Sequence, residues 1–304
     1  MLNRYEYGDI TWIDIENPVL EEVEATVNEF ELGPLLIEEL LTATAKPRVD
    51  IYPGFVYAVF HFPALRYTHG LETNHEIDVI LGETFIITTH YSTASATYDL
   101  ARAFEAATLL QQHSKRIGVG HIFMELAERL YQAADNELDA LEEVIEDIEA
   151  SIFEGREREM VSAISFAARE LITHKRLLGT HQDVLSSLEQ ATKTLFGDAY
   201  AHQVRGSSAL HYRVYHRALM MNDILNELRD TNTALLYTRQ NEIMKNLTIM
   251  AFITFPLSLI VGVFGMNTSF TPIVEHPQGF WIIVGGMFFL TTLFFAYFKI
   301  KKWF

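Results

Sequence analysis

The sequence contains no cysteine. That excludes disulfides and thiolate metal sites, so metal chemistry in this chain must use oxygen or imidazole ligands. Basic residues are also scarce, with 23 Lys and Arg against 40 Asp and Glu. Residues 1 to 100 alone hold four of the former and seventeen of the latter, a net charge of −13. A region this acidic repels nucleic acid and attracts cations, although a merely soluble acidic surface has the same composition. No phosphate-cradling Walker loop occurs, no nucleophile stands beside a base, and no carboxylate dyad is convincing. These absences argue against an ATP-driven machine and against an enzyme, and no organic cofactor is implied. The opening MLNRYEYGDITW alternates polar and apolar residues without the apolar core of a signal peptide.

Charge is missing altogether from Leu247 to Met266. About 20 such residues at 1.5 Å rise span a hydrocarbon core of roughly 30 Å, so this segment reads as a transmembrane helix. Phe280 to Phe298 is a second apolar stretch, and the gap before it holds Pro272, Pro277 and Gly279, which makes it a loop. The chain crosses a bilayer and returns. The loop has no Lys or Arg and only Glu275 as a formal charge, whereas Arg239 and Lys245 precede the first span and Lys299, Lys301 and Lys302 follow the second. Basic residues near membrane ends favour the cytoplasmic side. A multi-pass protein of the cell membrane with both termini cytoplasmic is expected.

Neither Gly nor Pro occurs from Ser208 to Phe255. One helix should therefore run from a polar stalk into the membrane, roughly 90 Å long to Met266, and so long a helix needs copies of itself to pack against. Upstream, Tyr5 to Ile15 reads as a strand, Asn17-Pro18 as a helix start, and Leu35 to Leu41 as a short helix. Extended runs follow at Pro47 to Tyr52, Phe55 to Phe62, Glu76 to Leu81 and Thr84 to Thr89. Apolar spacing of three and four then predicts helices near 95 to 112, 118 to 153 and 157 to 190, the last two an antiparallel hairpin across Gly155 with a strongly acidic far part. Residues 197 to 207 lose periodicity and read as a loop.

The expected class is an α+β cytoplasmic domain, an α/β sandwich plus a helical hairpin, carried on a long stalk helix continuous with the first of two C-terminal transmembrane helices. The expected divisions are an α/β domain at 1–94, a helical region at 95–207, the stalk at 208–246, the first span at 247–266, an external loop at 267–279, the second span at 280–298 and a basic tail at 299–304.

A stripe can be followed along the long helix at three- and four-residue steps through Asp230, Thr233, Tyr237, Asn241, Met244, Leu247 or Thr248, Ala251, Phe255, Ser258 and Gly262. In a parallel ring of helices one such stripe faces the axis. Met244, Leu247 and Phe255 there serve equally as bundle packing or as a gate that closes a pore by dewetting. Pro256 bends the helix, and Gly262 allows close helix contact or a bare carbonyl. Asn267 suits a helix cap, and a ring of its neutral amide oxygens could also hold a hydrated ion through its water shell.

The residues Asn241-Glu242, Met244-Lys245, Leu247-Thr248, Pro256-Leu257-Ser258, Gly262 and Gly265-Met266-Asn267 together resemble the signature of the CorA family of magnesium transporters. Leu35 to Leu41 followed by Lys46 to Asp50, and Leu81-Gly82 with Phe85 to Thr88 and His90, resemble its soluble domain. The resemblance implies a homopentameric funnel and a gated passive channel for Mg²⁺, extending to Co²⁺ or Ni²⁺, with Gly265, Met266 and Asn267 at the selectivity filter. Five copies of Asp230 around such an axis would gather cations at the inner end of the pore, although a lone Asp on a stalk helix is more often a solvated surface residue. The resemblance also implies cytoplasmic Mg²⁺ sensing, with Glu72, Glu76 and Asp78 as candidate ligands. The carboxylates that usually follow the Gly-Met-Asn turn are delayed here to Glu275. His202, His211 and His216 keep a Zn²⁺ or Co²⁺ transporter as an alternative, though each reads first as a surface or packing residue. An alternative of another class is a membrane-anchored acidic scaffold or sensor.

Overall fold

The computed structural model describes residues 1–63, 74–91, 118–266 and 277–301, and it divides into two compact units, Met1–Arg229 and Asp230–Phe304. The helix expected near 95 to 112 lies outside the described residues.

The first unit is built on a six-stranded sheet of β1 (Leu2–Tyr7), β2 (Ile10–Glu16), β3 (Arg48–Tyr52), β4 (Phe55–Pro63), β5 (Asn74–Gly82) and β6 (Phe85–His90). Its order is β1-β2-β6-β5-β4-β3. Neighbours are antiparallel except β2 and β6, which pair in parallel. The single strand expected from Tyr5 to Ile15 is in fact the β1–β2 hairpin, turning at Gly8-Asp9 with Tyr7 opposite Ile10. A two-residue turn leaves too short a polar gap to interrupt the alternation.

All nine residues of β4 are buried, so the sheet is covered on both faces. On one face Ile13, Ile15, Tyr57, Val59, Ile80 and Ile87 pack beneath α1 (Leu20–Glu29) and α2 (Leu35–Leu41), which contribute Val23, Val27, Leu36 and Leu40. The helix start placed at Asn17-Pro18 falls at Leu20, with Glu21 and Glu22 in the first turn where the helix dipole favours them. On the other face Phe60 meets Phe123 at 6.3 Å and Phe62 meets Tyr131 at 5.3 Å between ring centroids. These rings dock α3 (Val119–Phe153), which reverses at Gly155 into α4 (Glu157–Phe196). The result is three layers, helices on sheet on helices, with the expected hairpin as the outer layer.

Gly197, at φ +91°, separates α4 from α5 (Asp198–Phe264), a helix of 67 residues. The loop expected at 197 to 207 shrinks to that one glycine, whose left-handed backbone ends α4 without the cost a side chain would add. Residues 198 to 207 are helical. Their buried positions are Ala201, Val204 and Ser207, in phase with His211, Val214 and Ala218. Small and polar side chains carried that periodicity, which is why apolar spacing did not reveal it.

In the second unit, α5 continues without interruption through the first apolar span, and α6 (Gly279–Ile300) is the second. Both are long and apolar enough to cross a membrane, and almost none of their apolar windows is buried within the protomer. An all-round apolar, unburied helix is what lipid or further copies of the chain would cover. Phe252 of α5 and Phe298 of α6 meet edge to face at 6.3 Å.

Candidate functional site

Asp230, Asn241, Met244, Leu247, Thr248, Phe255, Ser258 and Gly262 all lie on α5 and, at 3.6 residues per turn, fall within an arc of roughly 120°. Within the protomer this face is open. Asp230, Asn241, Met244, Leu247, Phe255, Ser258 and Gly262 are exposed, and Thr248 is half-buried. The face is mixed in chemistry, with a carboxylate and an amide toward the polar end, large apolar side chains in the middle, then a hydroxyl and a glycine. Thr248 turns its hydroxyl back to the Met244 carbonyl at 2.7 Å, so its methyl group rather than its hydroxyl is offered outward. A Cβ added at Gly262 would meet nothing within 4 Å. Among the described residues no neighbouring helix requires that glycine.

Pro256 lies inside the helix, and its missing N–H leaves the Phe252 carbonyl without its usual intrahelical donor. A groove of about 570 Å³ runs beside this point, lined by Thr248, Ala251, Phe252, Phe255, Pro256 and Leu259. At the far end the helix closes tightly, with Gly265 N–H donating to the Val261 carbonyl at 2.8 Å and Met266 N–H to that of Val263 at 3.4 Å. A Cβ on Gly265 would stand 2.8 Å from the Val261 carbonyl oxygen. Glycine is thus required by this turn. Asn267 and Glu275 lie outside the described residues, as does Glu72.

Glu76 and Asp78 are on β5, on the same face as the α1 and α2 layer. Neither is a free surface carboxylate. Glu76 accepts from Thr44 N–H at 2.7 and 2.9 Å, from the Thr44 hydroxyl at 3.0 Å, and from His61 Nε2 at 3.0 Å. Asp78 is completely buried and accepts from the Tyr91 hydroxyl at 3.2 Å. Burial, then the neighbouring Glu76 charge, pushes the Asp78 carboxyl well above its ordinary range, against the opposing pull of Tyr57, Tyr91 and Arg48. Asp78 therefore holds its proton to higher pH than an exposed carboxylate does. Tyr57 Oη, His61 Nδ1, Asp78 Oδ1 and Thr89 Oγ1, all on this face, have no partner in good hydrogen-bond geometry among the described residues. Among those residues no three His, Asp or Glu gather in a way that would hold a metal ion.

The histidines that raised the possibility of other metals do not converge. His202 and His216 are exposed, His216 lying on the Tyr212 ring at 4.0 Å, while His211 is buried and donates from Nε2 to the Leu178 carbonyl at 2.7 Å. Sequence reasoning passed over His181 of α4, which is fully buried. Its Nε2–H donates to the His61 carbonyl at 3.0 Å, so its Nδ1 must be the acceptor for the Tyr131 hydroxyl at 2.9 Å. Burial lowers its pKa to about 3, with the His61 carbonyl opposing the shift. Neutral His181 thus ties α3, α4 and the sheet together. On the outside of the same layer Arg217 of α5 reaches Asp135 at 2.8 Å and Asp139 and Glu142 at 2.5 Å each.

The chain matches the family described as CorA-like Mg²⁺ transporter protein over residues 7–301. It is 27% identical over 314 residues to the putative metal ion transporter YfjQ of Bacillus subtilis, covering all of this chain and 93% of that protein. It is 25% identical over 303 residues to the cobalt/magnesium transport protein CorA of Thermotoga maritima, covering 96% and 83%. The solved structure of the complete CorA magnesium transporter from Methanocaldococcus jannaschii superposes with a TM-score of 0.84 at 20% identity, over 99% of this chain and 93% of that one.

Proposed function

Because this chain belongs to the CorA-like Mg²⁺ transporter family and is a divalent-metal-ion transporter of the inner membrane, we propose that its cargo is Mg²⁺, with Co²⁺ and Ni²⁺ also admitted. The observation that carries the reading is the open stripe on α5, running from Asp230 through Asn241, Met244, Leu247 and Phe255 to Ser258 and Gly262. A face so mixed is costly against lipid and useful only around an axis shared with other copies of the same helix. We take that assembly to be a homopentamer.

In such a ring Asp230 gathers cations at the inner end, beside the Asn241 amides. Met244, Leu247 and Phe255 form the constriction that closes by dewetting. Ser258 and the bare backbone at Gly262 replace part of the ion's water beyond it. The tight Gly265-Met266 turn sets the start of the filter, where Asn267 holds Mg²⁺ by its water shell, weakly enough for release. Glu275 supplies the external negative charge. A divalent ion entering through 100 mV gains about 4.6 kcal/mol, so no ATP is required. Sensing of cytoplasmic Mg²⁺ falls to the acidic domain. Glu76 would have to give up Thr44 and His61 to serve as a ligand there, and Asp78 its proton. The anchored-scaffold alternative is set aside by the match over residues 7–301.

The test is ion entry into proteoliposomes with trapped indicators, comparing Mg²⁺, Co²⁺ and Zn²⁺ for the wild type and Asn267→Ala. Potential-driven Mg²⁺ entry, abolished or made unselective by Asn267→Ala, is the expected result. Entry of Zn²⁺ alone would replace Mg²⁺ as the cargo.

A further inference from the structure

Four lysines of this acidic chain stand at the cytoplasmic ends of its two spans. Lys245 stands on α5, Lys299 and Lys301 close α6, and Lys302 is the next residue of the chain. No carboxylate pairs with Lys245, Lys299 or Lys301 among the described residues. Beside Lys301 lies a groove of about 450 Å³, walled by Phe252 of α5 and by Phe294, Tyr297 and Phe298 of α6. Residues 294, 297, 298 and 301 are spaced three, four and seven apart, so they form one face of α6, and Phe294 lies roughly 10 Å deeper along the axis than Lys301. The groove is thus aromatic along its depth and cationic at its mouth, and the mouth is at the end of the span where lysines mark the cytoplasmic surface.

We propose that this groove binds one anionic phospholipid of the cytoplasmic leaflet, its phosphate on the Lys301 ammonium and the first part of an acyl chain along Phe252, Phe294 and Phe298. Charge complementarity selects the occupant. An apolar helix from another copy would satisfy the aromatic walls but offer no anion to Lys301, whereas an anionic lipid satisfies both at once. Tyr297, half exposed at the rim, places its hydroxyl at headgroup level as interfacial tyrosines do.

The experiment is lipid binding to the full-length protein in detergent, by native mass spectrometry, with phosphatidylglycerol and phosphatidylcholine of identical chains. Wild type, Lys301→Gln, Lys301→Arg and Phe294→Ala are compared. Phosphatidylglycerol should be retained in preference to phosphatidylcholine. Lys301→Gln should lower that preference about fivefold, the equivalent of about 1 kcal/mol per basic residue at an anionic surface, and Lys301→Arg should keep it. Phe294→Ala should weaken both lipids alike. Equal retention of the two lipids by the wild type, or an unchanged preference in Lys301→Gln, overturns the proposal. So does competition by chainless glycerophosphoglycerol at the concentration of the whole lipid, which would mark a phosphate site and not a lipid site. The cysteine-free sequence supplies one more arm. If Tyr297→Cys proteins cross-link to one another in liposomes of phosphatidylglycerol, another copy covers the groove and the lipid does not.

Discussion

Gly265 is the residue whose identity the geometry decides most sharply. Its absent Cβ would stand 2.8 Å from the Val261 carbonyl oxygen, a backbone atom that cannot swing aside. Gly265→Ala should therefore reopen the last turn of α5 and displace the residues beyond it. The expected outcome is a folded oligomer with reduced or unselective Mg²⁺ entry, seen as a loss of flux without a loss of thermal stability. Asp78 makes a separate prediction, about pH. Its carboxyl is raised above the ordinary value of 3.8, first by burial and then by Glu76, so the stability it contributes is complete below that value and drains away as pH rises through its folded pKa. Asn cannot ionise. The apparent melting temperature of Asp78→Asn relative to wild type should rise from about pH 4 upward, and a difference constant with pH would show that the carboxyl is ionised in the fold. The sequence placed Asp78 and Glu76 on a hairpin strand correctly. It could not show that they were spoken for, because His61, 15 residues from Glu76, meets it across the β4–β5 pairing, and Thr44, 32 residues away, meets it from the segment between α2 and β3.

At the scale of elements, the outer helical layer hangs on His181. The ring is neutral, with a pKa lowered from 6.5 to about 3, so the stability it supplies is present above 6.5 and is lost as pH falls through that interval. His174 and His211 are shifted down by burial as well and act in the same direction. Acid should thus loosen α3 and α4 from the sheet, read as rising amide exchange in those helices between neutral pH and pH about 4. Tyr131→Phe removes the hydroxyl that donates to His181 Nδ1 and should cost about 1–3 kcal/mol at neutral pH, measured by chemical denaturation. Long elements with large apolar side chains were legible in the sequence: α3 and α6 have nearly their expected bounds, as do the strands from β3 to β6. The elements that escaped were short on apolar contrast. The β1–β2 turn spans two residues, and the first turns of α5 bury alanine, valine and serine where leucine would have announced a helix.

For the whole molecule, charge is the organising quantity. A net of −17 coexists with a cluster of lysines at the end of α6, and −13 of the balance falls in the first hundred residues. Copies of so acidic a region repel one another, and divalent cations relieve that repulsion. Withdrawing Mg²⁺ from the cytoplasmic side should therefore weaken contacts between soluble domains and raise flux, measured together by cross-linking yield and ion entry. Unchanged yield and unchanged flux would remove the domain from the gating mechanism. The motif from Asn241 to Asn267 disclosed the family, the order of the spans and the stripe on α5. It could not disclose which faces of that helix are occupied by its own chain, since that depends on residues far away in sequence.

The continuity of α5 has a mechanical corollary. A helix without a joint behaves as a stiff shaft, and strain applied at one end is relieved wherever the shaft is weakest. Every residue from Asp198 to Phe264 is held in the same helical ladder, but the rung from Phe252 to Pro256 is missing. Bending of the shaft is therefore easiest at that rung, within the first apolar span and immediately beside Phe255, so the place where the helix yields is also one from which a large exposed aromatic side chain projects.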